Sequence, residues 1–189
     1  MNVTGSWTRL CRWLPLLLLP AFPLYAADIT PAMQPKIDKY KKQAVQWAAD
    51  PTVVAAVKEA NAKGPIPGMG NAKWRELKET DPVVTAFVTN PAGQKLTQWM
   101  NADAQGINKI VLSGAKSQRV AFTSMPAIYL GKGKPNFDEA MGGKVWQQGE
   151  SKPDPSTNID TVQIAAPVKD GGKVIGVLLV SLTAETLKK

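Results

Sequence analysis

The sequence predicts an α+β fold, with helices in its first half packed on an antiparallel sheet built from its second half. Three observations lead there. Apolar residues recur at spacings of three and four over residues 28–50, the period of a helix with one buried stripe. From Ile107 onward the pattern changes to short β-branched runs separated by glycine turns. The last two runs, residues 160–182 (DTVQIAAPVKDGGKVIGVLLVSL), flank Asp170-Gly171-Gly172, a hairpin signal because glycine accepts the positive φ that the turn needs. Helices first and strands afterwards define the α+β class.

The chain has 189 residues, 44% of them hydrophobic, enough for one domain with its own core. Its first residues read as a secretory signal: Arg9 and Arg12, then an apolar run from Leu14 to Leu24, then Tyr25-Ala26-Ala27. Cleavage is placed after Ala26, which divides the chain into a signal peptide, 1–26, and one domain, 27–189. The domain has a helical part, 27–104, and a sheet part, 105–189. The apolar run is short and broken by proline, so an uncleaved anchor is the less favoured alternative. The expected location is the periplasm or the exterior. Removing 1–26 takes Arg9 and Arg12 but no acid, so the net charge falls from +8 to +6. It also takes Cys11, the one cysteine. The dispersed lysines read as a solvated basic surface, not a nucleic-acid stripe.

Within the helical part, Ile29, Met33, Ile37, Tyr40, Ala44, Trp47 and Ala48 form the stripe of a long first helix. Asp50-Pro51 is a cap followed by a first-turn proline, and starts a second helix through Val53, Val54, Ala56 and Val57. Residues 63–70 (KGPIPGMG) exclude regular structure. Trp74 and Leu77 mark a third helix over 71–79. Asp81-Pro82 starts a fourth through Val83, Val84, Phe87 and Val88, and Leu96, Trp99 and Met100 mark a fifth after Asn90-Pro91. Trp47, Trp74 and Trp99 sit at helical spacing and read as core.

The sheet part opens with a hairpin, residues 107–112 and 119–123 around a glycine turn. A loop over 124–135, a short helix at 137–141, a third strand at 144–148 and a polar connection at 150–158 follow. The closing hairpin supplies strands four and five. Its arms are apolar on both faces, so the pair is central to the sheet and covered on each side.

Taken together, this order resembles the extracellular single Cache domains, the PAS-like (PDC) sensor modules of bacterial chemoreceptors and histidine kinases. The resemblance is carried by the long first helix, the hairpin, the loop, the short helix before Gly142-Gly143, the Asp154-x-Ser156 step and residues 163–177 (QIAAPVKDGGKVIGV). It implies a five-stranded antiparallel sheet with helices on one face and a small-ligand pocket on the other, closed by the loop and short helix. By position it implies Tyr129, Lys132 and Lys134 in the loop, Trp146 on the third strand, Asp154 and Ser156 in the connection, and Gln163 on the fourth strand. The sequence departs from that pattern in having no Arg between Thr123 and Lys189. It also ends at residues 183–189, without a membrane helix or signalling domain. The resemblance therefore implies a standalone exported sensor domain for a small polar metabolite, an organic acid or an amino-acid-like molecule. Such a domain passes its state to a membrane receptor or kinase, or pairs with a second copy through the first helix.

Read from chemistry alone, each site residue has two roles open to it. Tyr129 and Trp146 suit a pocket wall or plain core. Lys132 and Lys134 suit an anion or solvent. Asp154 suits an amine or hydroxyl, or only a turn before Pro155. Gln163, on a buried strand, needs some partner. Other chemistries fall away. The chain has no histidine, which excludes Ser-His dyads and imidazole metal sites. Residues 154–160 lack the glycine and closing glutamate of a calcium loop. Residues 131–134 (GKGK) lack the spacing of a phosphate loop. Asp138 and Glu139 point apart on one helical turn. An enzyme, a cofactor and a metal are not expected. The competing expectation is a structural or partner-binding exported protein with Tyr129 and Trp146 packed and no cavity.

Overall fold

The computed structural model describes residues 27–189, together with Met1. The signal-peptide reading of 1–26 falls outside the described residues. Helices α1 (Gln34–Ala48), α2 (Pro51–Lys63), α3 (Asn71–Trp74), α4 (Pro82–Thr89) and α5 (Pro91–Ala102) precede the main sheet strands. Strands β2 (Ile107–Gly114) and β3 (Arg119–Phe122), helix α6 (Pro135–Met141), and strands β4 (Trp146–Gln147), β5 (Glu150–Pro153), β6 (Asp160–Asp170) and β7 (Lys173–Thr183) follow, with α7 (Ala184–Lys188) last. A short strand, β1 (Ala27–Asp28), pairs with β5. The sheet is antiparallel in the order β1-β5-β6-β7-β2-β3, and β4 also pairs with β6.

The local signals act where expected. Asp50 caps α2 by accepting the Thr52 N–H at 2.8 Å, and Asn90 caps α5 by accepting the Gly93 N–H at 2.8 Å. Gly171 and Gly172 both have positive φ, 54° and 83°, which the tight β6–β7 turn requires. Four details differ from expectation. The first helix begins at Gln34, because Ala27 and Asp28 join the sheet edge. The connection at 150–158 contains strand β5, which with β4 forms one interrupted strand along β6. The third helix stops at Trp74. The last residues turn into α7, whose Leu187 is buried.

The β6–β7 pair lies inside the sheet and both its faces are covered. On one face, Met33, Ile37, Ala44 and Ala48, with Val53, Val57 and Leu96, pack on Ile110, Leu112, Ile164, Ala166, Leu178, Val180 and Leu182. Trp47 and Trp99 stack at 4.8 Å at the margin of that core. On the other face, Trp74, Val84 and Tyr129 pack on Val111 and Phe122, and Phe137 and Ala140 on Ala165 and Val177. The helices therefore do not share one face. Val84 belongs to the second layer and Ala92 to the first, so the chain crosses the edge of β3 between α4 and α5 and covers it.

Gly176 sits where β7 meets both β2 and α2. A Cβ there would overlap the Ser113 carbonyl oxygen and come within 2.8 Å of Val57 Cγ1. Gly176→Ala is expected to destabilise the domain by about 2 kcal/mol or more. The check is the urea unfolding midpoint, with Gly149→Ala, where a Cβ meets nothing within 4 Å, as the near-neutral control.

Candidate functional site

Between the sheet and its second layer lies a cavity of about 250 Å³, small for a ligand pocket. Its floor comes from alternate residues of adjacent strands. Period two along β2 puts Lys109, Val111 and Ser113 on this face and Ile110 and Leu112 on the helical one. Gln163 on β6 and Val177 and Leu179 on β7 complete the floor. The roof is the loop at 126–131 with Lys134, Asn136 and Phe137, and Asp154 and Pro155 close one side.

Arg119 reaches this cavity because of a β-bulge. Val111 pairs with Phe122 and Leu112 with Ala121, but Ser113 pairs with Arg119, which skips Val120. Strict alternation from Phe122 would turn Arg119 toward the helices. The extra residue turns it to the Ser113 side instead. Its Nη1 donates to Ser113 Oγ at 2.7 Å and its Nε to the Ile128 carbonyl at 3.0 Å. Nη2 makes no hydrogen bond among the described residues, and none of their carboxylates pairs with the guanidinium. Burial pushes its pKa down to about 10, so it stays cationic at neutral pH.

Lys109 is buried, 4% exposed, and its Nζ donates to Asp154 Oδ1 at 2.7 Å and to Ser156 Oγ at 2.5 Å. Ser156 also donates to Asp154 Oδ1, through its hydroxyl at 2.7 Å and its N–H at 3.0 Å. Burial alone would raise the Asp154 carboxyl. The hydrogen bonds from Lys109 and Ser156 outweigh it and hold the group below its ordinary value. For Lys109, burial is the larger influence and lowers the pKa against the pull of Asp154. The lining thus has two buried cations and one acid. Asn136 Nδ2 donates to Gln163 Oε1 at 2.8 Å. Ser181, on β7 opposite both Gln163 and Lys109, is fully buried with its Oγ unpartnered.

Of the residues singled out from sequence, Asp154, Gln163 and Lys134 line the cavity, and Ser156 holds Asp154 from behind. Tyr129 lies outside the lining. It stacks on Trp74 at 5.3 Å, and its hydroxyl accepts the Ile66 N–H at 2.9 Å. Asn71 Oδ1 accepts the N–H groups of Tyr129 and Leu130, and Trp74 Nε1 donates to the Pro126 carbonyl at 2.7 Å. Tyr129 is thereby the anchor of the roof loop. Lys132 is exposed at the turn, and Trp146 packs beside α6, also outside the lining. Sequence reasoning missed Lys109, Ser113 and Arg119. The available signal was Lys109 itself, a charge inside an apolar run. A guanidinium clamp was expected from the residues after Thr123, whereas Arg119 precedes it.

The sequence matches no protein-family model and no curated protein. In structure the chain is similar to the sensor domain of the Vibrio cholerae histidine kinase DctB, with a TM-score of 0.58 and 14% identity over 83% of this chain and 52% of that one. It thus spans about half the length of that domain. It also matches the sensory domain of the Campylobacter jejuni chemoreceptor Tlp3 with isoleucine bound, with TM-score 0.44, 15% identity and coverage of 84% and 66%. A third match is the ligand-binding domain of the Pseudomonas aeruginosa PAO1 amino acid chemoreceptor PctC in complex with GABA, with TM-score 0.39, 15% identity and coverage of 79% and 66%. The DctB likeness shows the fold alone: an open antiparallel PAS-like sheet with helices packed on it. All three neighbours are sensory or ligand-binding domains. No described helix is long and apolar enough to cross a membrane.

The Lys109–Asp154 pair makes a pH prediction. The folded Asp154 carboxyl holds its proton less tightly than the unfolded one. Its stabilisation is therefore complete above the unfolded value, about 3.9, and is lost as pH falls through the lower folded value. Asp154→Asn also leaves Lys109 buried and unpaired. It is expected to cost about 3 kcal/mol at pH 7, a gap that narrows as wild type is titrated below pH 4. Urea midpoints from pH 2 to 7 measure both.

Proposed function

We propose that this chain is an exported sensor domain, with 1–26 its cleaved signal and 27–189 its binding unit, that recognises a small polar metabolite bearing a carboxylate. The observation that carries the reading is Arg119: a buried guanidinium, turned by a bulge into a small cavity, with a donor left over and no acid beside it among the described residues. A buried cation without a protein counter-charge is costly, and a carboxylate ligand would compensate it through the guanidinium fork. The apolar remainder of such a ligand would lie on Val111, Val177, Leu179 and Phe137. Its binding would tie the roof loop to the sheet. Occupancy would then pass to a membrane receptor or kinase in the periplasm, or to a second copy through the outer face of α1, where Lys39, Lys42 and Val45 are exposed.

The alternative, a partner-binding protein without a small ligand, predicts Tyr129 and Trp146 packed and the sheet face filled. Tyr129 is packed and Trp146 partly so, but the cavity beside them favours the ligand reading.

A thermal-shift screen of 27–189 against short carboxylates, amino acids, amines and purines tests the proposal. A carboxylate at about 100 times its Kd adds about 2.7 kcal/mol, a rise in Tm of roughly 5–10 °C. Arg119→Gln is expected to remove that rise while the protein still folds. A screen with no hit in any class would end the small-ligand reading.

A further inference from the structure

We infer that the cavity selects a single carboxylate on a neutral body and rejects the same molecule carrying an ammonium group. This rests on the carboxylate reading above and narrows it. An amino acid needs two opposite charges matched, a cation for its carboxylate and an acid for its ammonium. Arg119 can meet the first. Among the described residues Asp154 is the only acid in the lining, and its charge is already matched by Lys109. One oxygen, Oδ1, takes Lys109 Nζ at 2.7 Å, Ser156 Oγ at 2.7 Å and Ser156 N–H at 3.0 Å. The lysine that holds it is itself buried and comes from β2.

An ammonium brought to Asp154 would stand beside Lys109 Nζ, two like charges on one carboxylate in a desolvated space. On the floor, Gln163 Oε1 already accepts from Asn136 Nδ2 at 2.8 Å and Ser113 Oγ from Arg119 Nη1 at 2.7 Å. With Lys109 and Asp154 neutralising each other, one positive charge remains inside, at Arg119, and one carboxylate balances it. A second carboxylate would find only Lys134, exposed at the rim. The internal ion pair thus sets specificity by exclusion.

Matched ligands test this by calorimetric titration of the mature wild-type domain: propionate against alanine, and butyrate against 4-aminobutyrate, with propylammonium as the amine alone. Propionate and butyrate are expected to bind about 100-fold more tightly than their ammonium counterparts, since an unmatched buried charge costs at least that factor. Alanine or 4-aminobutyrate binding as well as its partner would overturn the inference and leave the small-ligand reading standing. No binding by any carboxylate, amino acid or amine would overturn both.

Two variants assign the effect to the pair. Lys109→Met releases Asp154 and is expected to shrink the propionate-to-alanine ratio at least about tenfold. Asp154→Asn releases Lys109 and is expected to raise the affinity for succinate relative to propionate. Circular dichroism establishes which variant folds. An unchanged ratio in a folded variant would overturn the role given to the ion pair, and the wild-type series decides the selectivity by itself.

Discussion

A central strand pair that is apolar on both faces has to be covered twice. That constraint organises the rest of the molecule. The first layer, α1 with α2 and α5, follows from ordinary amphipathic helices. The second is assembled from what remains: the segment 64–89, the roof loop and α6. It meets the sheet at its two ends, through Trp74 and Tyr129 on one side and Phe137 on the other. The stretch between them, over Lys109, Ser113 and Gln163, is left as the cavity. The same constraint that makes a core on one face leaves a cavity on the other.

Charge is what separates this space from a packing defect. An apolar void loses dispersion contacts and is weakly tolerated. Here the walls bring in Lys109 and Arg119, each of which carries a desolvation cost that a leucine would not. One is compensated within the chain by Asp154 and Ser156. The other is only hydrogen-bonded, by Ser113 and the Ile128 carbonyl. Those two bonds also fix the guanidinium against the strand and the roof, so the remaining donor has a set direction. Roof, bulge and floor therefore share one residue.

Much of the fold was legible because its signals are local. Asp50-Pro51, Asn90-Pro91 and Asp170-Gly171-Gly172 each act within a few residues, and each marks an element boundary in the structure. Strands β1 and β5 and helix α7 were not legible, because their pairing or docking depends on residues remote in sequence. The site was legible in part. Asp154 and Gln163 line the cavity, while Tyr129, Lys132 and Trp146, carried over by position, lie outside it. Lys109 and Asp154 are 45 residues apart, and no spacing rule joins them. Arg119 was hidden more deeply. Its direction depends on the bulge at Val120, and a bulge leaves no mark in a run such as Arg-Val-Ala-Phe.

The bulge makes the sign of the cavity depend on which residue of one short edge strand is left out of the ladder. Here that residue is Val120, so Arg119 pairs with Ser113 and shares the face of Phe122. A chain lacking Val120 would reach the same arrangement by simple alternation and keep its guanidinium in the cavity. A strand of unchanged length paired without the bulge would instead set Val120 over the cavity and turn Arg119 toward the helical layer, leaving inside only the self-neutralised Lys109 and Asp154. In such a fold a slip of one residue in pairing changes the charge offered to a ligand, while a loss of one residue at the bulge leaves it as it was.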